Sequence, residues 1–153
     1  MLIRRATQAD APAILALVPR LATSFTPPPW RDPAAMVATD LDVVAEAIRS
    51  HTEDPAIFVA EMDGTVAGFI HVCSSPEDYY RRRKNGHVAD LVVAEGLEGR
   101  GIATALLKRA EDWSRAQGYD WITLGVFEQN VRAEMLYERS GFRRDVIRLL
   151  KRL

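Results

Sequence analysis

In this 153-residue chain, Glu98-Gly99-Arg100-Gly101 lies between an apolar run and a helical pattern, and these residue types could hold a phosphate. A strand that passes through a glycine loop into a helix aims several backbone N–H groups, and the positive end of the helix dipole, at one spot. Gly99 and Gly101 have no Cβ, so a pyrophosphate could lie against the backbone, and Arg100 adds a positive side chain. The same glycines would also serve a tight strand-to-helix turn, so the loop alone leaves both readings open. It is not a Walker A loop, because no Lys-Ser or Lys-Thr closes it. Thr104 stands where the dinucleotide fingerprint needs its third glycine or alanine. Nucleotide hydrolysis and hydride transfer both lose ground.

Asp90 stands inside the apolar run Val88 to Ala94, where an ionised carboxylate must be paired or face a cleft. His71 and Cys73 alternate along a strand and share a face, but two ligands without a third make no metal site, so no metal is expected. Cys73 is the only cysteine, which excludes an internal disulfide and suits a reducing cytosol. Arg81-Arg82-Arg83-Lys84 reads as a solvated loop that could also touch a ligand.

Leu2 to Ala6 reads as a first strand, and Thr7 three residues before Asp10 is an acidic variant of the capping box that starts a helix. Ile14, Leu15, Leu17, Val18 and Leu21 form its apolar stripe, and Pro19 should kink it. Pro27-Pro28-Pro29 then stiffens the connection to a second helix over Pro33 to Ser50, with Phe25 and Trp30 on its flanks. Ala56 to Met62, Asp63-Gly64 and Thr65 to Val72 read as an antiparallel hairpin, and Ser74 to Gly86 as a loop. Val88 to Ala94 is a strand covered on both faces, and Ile102 to Gly118 is a helix. Trp121 to Phe127 is a strand, Asn130 to Ser140 a short helix, and Phe142 to Leu150 a terminal β segment. That order argues for one α/β domain over residues 1–153, a mixed sheet flanked by helices.

Composition sets the outer limits. Apolar residues make up 48% and charged residues 27%, as in an ordinary globular protein. A net charge of -1 gives no basic field, so nucleic acid is not an expected ligand. The N-terminus reaches charged residues at once and no apolar run approaches the roughly 20 residues of a membrane span, so the expectation is a soluble, cytoplasmic chain.

Taken together, Asp90-Leu91-Val92-Val93, Glu98-Gly99-Arg100-Gly101-Ile102-Ala103, Asn130-Val131-Arg132-Ala133, Leu136-Tyr137 and Gly141-Phe142 resemble the GNAT superfamily of N-acetyltransferases in order and spacing. The first stretch is similar to that family's central strand, the second to its pyrophosphate loop, and the rest to its second cofactor helix. About a third of the chain carries the match directly. Glu98 departs from the usual Gln or Arg. A carboxylate beside a pyrophosphate is repulsive unless its side chain turns away, so its backbone is the better ligand.

The resemblance implies a GNAT-like sheet with acetyl-CoA held between a splayed strand pair at Leu91 to Val93 and Trp121 to Phe127. Backbone groups of Val92 and Val93 would bond the pantetheine amides and polarise the thioester carbonyl. Backbone N–H groups of Gly99, Arg100, Gly101, Ile102, Ala103 and Thr104 would hold the pyrophosphate. Asn130 and Ala133 would line the pantetheine arm, and Asn130 also suits a helix N-cap. Tyr137 would donate a proton to the departing thiolate, or else pin the helix to the sheet as a half-buried aromatic.

An amine nucleophile must lose a proton before attack, and the candidates to take it are His87, Asp90 and, at the hairpin, Glu61. His87 is equally a surface histidine after Gly86. Phe25, Trp30 and Tyr79 could wall the acceptor pocket, although the first two could instead pack the helix pair. The expected activity is direct acetyl transfer from acetyl-CoA to a primary amine, chiefly of a small molecule, by a monomer or homodimer without a metal. A protein N-acetyltransferase and a non-catalytic acyl-CoA-binding module stand as alternatives.

Overall fold

The computed structural model describes residues 1–50, 52–75 and 82–152. Five strands, β1 (Leu2–Arg5), β2 (Ala56–Met62), β3 (Thr65–Ser74), β4 (Gly86–Val93) and β5 (Ile122–Leu124), form one sheet in the order β1-β2-β3-β4-β5. The first three pairings are antiparallel, and β4 with β5 is parallel. Two helical layers cover it. On one face lie α1 (Ala11–Leu17), α2 (Arg20–Thr23) and α3 (Pro33–Arg49), and on the other α4 (Ile102–Ala116), while α5 (Val131–Arg139) follows β5.

Local chemistry starts each helix where the sequence says it should. Thr7 N–H and Oγ1 both donate to Asp10 Oδ2, at 2.8 and 2.9 Å, and so build the acidic capping box ahead of α1. Arg4 grips the same carboxylate through two nitrogens at 2.8 Å each, which holds the Asp10 carboxyl well below the usual carboxylate range. Pro19 breaks the first helix into α1 and α2. Asp32 caps α3 by accepting from Ala34 N–H at 3.0 Å, with Pro33 in the first turn.

Alternation along the strands divides the core in two. Phe58, Ile70, Val72 and Val88 face α4 and pack on its Ile102, Leu106, Leu107 and Ala110. Ile57, Val59, Phe69 and Val92 face the opposite way and pack on Ile14, Val18 and Val44. Val88 and Val92 are four residues apart yet lie on opposite faces, which a regular strand forbids. The reason is a bulge: Val72 pairs with Val88 and His71 with Asp90, so Ala89 has no partner on β3. Beyond the bulge Asp90 shares the face of Val92, away from α4.

At its start β4 lies hard against α4, because a Cβ on Gly86 would stand 2.1 Å from Ser114 Oγ. There β4 and β5 pair over Gly86 to Val88 and no further. The expected strand over Trp121 to Phe127 is therefore shortened to three residues: past Leu124 its neighbour has been turned away by the bulge at Ala89. The expected terminal β segment, Phe142 to Leu150, is not formed either. Residues 142–152 hold no helix or strand, and Val146, Ile147, Leu149 and Leu150 are exposed, since a three-residue β5 offers almost no ladder to join. Among the described residues no helix is long and apolar enough to cross a membrane.

Candidate active site

Where β4 and β5 part, a cleft of about 920 Å³ opens between the α2–α3 face, the β4 edge, the β4–α4 loop and α5. Leu91, Val92, Val93, Glu98, Gly99, Gly101, Ile102, Ala103, Thr104, Asn130, Ala133 and Tyr137 line it, and so do Asp90, Phe25 and Trp30. Arg100 is exposed and is not among the lining residues. Tyr79 lies outside the described residues.

The loop end is shaped by two left-handed glycines, Gly99 at φ 78° and Gly101 at φ 79°, the second being the N-cap of α4. No atom stands within 4 Å of where a Cβ would project from either, so the helix N-terminus opens onto free space. Glu98 does not intrude on that space as a free charge. Its Oε1 accepts from Arg20 Nη2 at 2.6 Å, and its own backbone N–H and that of Gly96, with Arg20, hold it below the usual carboxylate range. Arg20 was not singled out in the sequence, where it is one more charge on a helix. It also donates from Nε to Val93 O at 3.0 Å and so ties α2 to both the strand edge and the loop.

Along β4 the backbone alternates in direction. Ala94 N–H reaches Ala67 O on β3, and Val92 O is turned toward Gly68 of β3, so Val92 spends its polar groups within the sheet. Leu91 and Val93 face the other way. Of the expected pair Val92 and Val93, only Val93 therefore turns its backbone toward the cleft, where Arg20 takes its carbonyl and leaves its N–H, and Leu91 joins it.

Asn130 Oδ1 accepts from Ala133 N–H at 3.2 Å and so caps α5, a contact typically worth about 1 kcal/mol. Tyr137 lies two turns beyond Asn130 and meets Phe142 edge-to-face at 5.9 Å. Burial first, and then the nearby charge of Asp90, push its phenol above the ordinary value, which keeps the hydroxyl protonated at neutral pH. Phe25 stacks on Phe127 at 5.4 Å, so the α2–α3 connection bridges the cleft to the segment after β5.

The three candidate bases are placed very differently. Asp90 lines the cleft, and its Oδ2 lies 2.9 Å from Nδ1 of His71, a residue only 4% exposed. Nε2 of His71 is buried without a hydrogen-bond partner among the described residues. His87 is not among the lining residues. Its Nδ1 meets Thr123 Oγ1 at 3.0 Å, and burial pulls its imidazole below the ordinary value. Glu61 lies on β2, two strands from β4, where Arg4 holds it at 2.9 Å. The sequence also passed over Asp40, which lines the cleft from α3. Its carboxyl is raised by burial and then by Asp90. Only the register of α3 against the bulged β4 brings those two acids to one space.

The Acetyltransferase (GNAT) family model matches residues 18–142. This chain belongs to that family. An uncharacterized N-acetyltransferase of Methanocaldococcus jannaschii is 33% identical over 120 residues, covering 68% of this chain and 72% of that protein. A mycothiol acetyltransferase of Beutenbergia cavernae is 47% identical over 57 residues, 37% of this chain and only 19% of that longer protein. The fold is shared with glucosamine-6-phosphate N-acetyltransferase from Arabidopsis thaliana, at TM-score 0.71 and 22% identity over 99% of this chain and 97% of the other. The chain is thus an acetyltransferase with the mixed sheet of the GNAT fold.

Proposed function

We propose that this acetyltransferase moves an acetyl group from acetyl-CoA directly to a primary amine of a small molecule, with both substrates in the cleft at once. One observation carries the reading: a single cleft joins an open helix N-terminus, which suits a pyrophosphate, to Asp90 and Tyr137, which suit the two proton movements of acyl transfer.

The N–H groups from Gly99 to Thr104 hold the pyrophosphate at the positive end of α4. The outward backbone of Leu91 and Val93 lies along the pantetheine, and a preorganised N–H there polarises the thioester carbonyl. Asn130, already committed through Oδ1, has its amide N–H₂ left for the same arm. Acetyl-CoA supplies the activated acyl group. Asp90 takes the proton of the incoming amine, with His71 behind it fixing the carboxylate. As nitrogen bonds to the carbonyl carbon and the C–S bond breaks, Tyr137 O–H stabilises or protonates the leaving sulfur.

Gly101→Val tests the loop assignment. A branched side chain would enter the open space at the α4 N-terminus, on a backbone that L-residues rarely adopt. The acetyl-CoA dissociation constant, read by calorimetry, is expected to rise at least tenfold, about 1.4 kcal/mol. Parental affinity in a folded variant would remove the pyrophosphate from this loop.

A further inference from the structure

Asp40 of α3 is half-buried in the wall of the cleft, yet it has no hydrogen bond and no ion pair among the described residues. A carboxylate withdrawn from water is costly unless a donor or a cation meets it. None of the arginines that share the cleft pairs with Asp40. Arg20 is committed to Glu98 and Val93, Arg31 lies over the Phe127 ring at 5.9 Å, and Arg132 and Arg139 belong to α5. Asp90, which lines the same cleft, is the charge that pushes the Asp40 carboxyl up alongside burial, and it has the same sign. Its own partner, His71, lies on β3, behind the carboxylate that lines the cleft.

The chemistry of the reaction decides what can answer this charge. An amine attacks a thioester only as the neutral base, so the reacting nitrogen gives up its proton and cannot serve as the counter-ion in the reactive complex. With Asp90 at the reacting nitrogen, a cation that stays charged throughout must come from elsewhere on the acceptor. We infer that the acceptor carries a second, permanently protonated group, an ammonium or guanidinium that pairs with Asp40, so that the substrates are diamines or larger polycationic amines rather than monoamines. This inference rests on the acetyltransferase reading and specifies its substrate class. Asp40 is then the residue that sets specificity, while Asp90 serves the chemistry.

The test compares two acceptors with the same four-carbon chain, 1,4-diaminobutane and n-butylamine, together with spermidine, at saturating acetyl-CoA, by thiol release and mass of the product. The kcat/KM of the diamine and of spermidine is expected to exceed that of the monoamine at least tenfold. In Asp40→Asn that ratio should fall toward one, with the loss appearing mainly in KM for the dication, while calorimetry shows acetyl-CoA still bound and the variant folded. Equal use of the diamine and the monoamine by the parent enzyme would overturn the inference and leave the acetyltransferase reading standing. So would a ratio that survives in Asp40→Asn, or transfer to none of the three by an enzyme that binds acetyl-CoA. A parent enzyme that fails to bind acetyl-CoA would instead overturn the acetyltransferase reading on which the inference rests.

Discussion

Tyr137→Phe should lower turnover by roughly 10²-fold or more and leave acetyl-CoA affinity near the parental value. The substitution keeps the ring and its edge-to-face contact with Phe142 and deletes only the hydroxyl. A phenol near pKa 10 is already a weaker acid than a thiol near 8.5, by about 2 kcal/mol for full transfer. Burial and the charge of Asp90 push this phenol further up. Its contribution therefore lies in a short hydrogen bond to sulfur as negative charge develops, and that contribution vanishes with the oxygen. Burst measurements of thiol release, set beside a calorimetric titration of acetyl-CoA, separate the two effects. Parental turnover at saturating substrates would reduce Tyr137 to a packing residue. Joint loss of binding and turnover would make it a cofactor contact.

Asp90→Asn should cost a comparable factor for a different reason. The amide keeps the size of the side chain and can still meet His71 Nδ1, but it cannot take a proton from the amine. Turnover should fall roughly 10²-fold or more, and the rise of rate with pH should track the amine's own ionisation instead of an enzyme group. His87, outside the cleft lining and engaged with Thr123, provides the contrast. His87→Gln is expected to keep the parental pH–rate profile. If His87→Gln abolishes the enzyme ionisation and Asp90→Asn preserves it, the base is His87 and its proton must travel through a path along β5.

The sequence was legible where local rules act. Thr7 to Asp10, Pro33, Asp63-Gly64 and Gly101 mark helix starts and a turn through a few neighbouring atoms, and each element begins beside them, whereas the cap that Asp32 gives α3 went unread. The apolar periodicity of α1, α3 and α4 needed nothing beyond the chain itself. Much of the candidate site could be read as well, because the glycine loop, Asn130 and Tyr137 lie at fixed spacings along the second half.

What stayed hidden depends on register between distant segments. One extra residue at Ala89 reverses which face Asp90 occupies, and period-two alternation in the apolar run gives no sign of it. The same bulge ends β5 after Leu124 and sends the carbonyl of Val92 into the sheet. Asp40 and Arg20 are unremarkable charges on helices until α2 and α3 settle onto β4, when one is left without a partner among the described residues and the other ties Glu98 to Val93. The tail after Phe142 shows the converse error. Its β-like composition is real, but a strand needs an edge to join, and three residues of β5 do not supply one.

The central claim is acetyl transfer from acetyl-CoA to an amine, and one tube can decide it. Enzyme, acetyl-CoA and a panel of primary amines are incubated together, and free thiol and acetylated amine are both quantified over time. The account predicts one acetyl group gained by an amine for each thiol released, with both absent when enzyme is left out. Thiol release without a matching acetylated amine, or no release from acetyl-CoA that calorimetry shows to be bound, would contradict it.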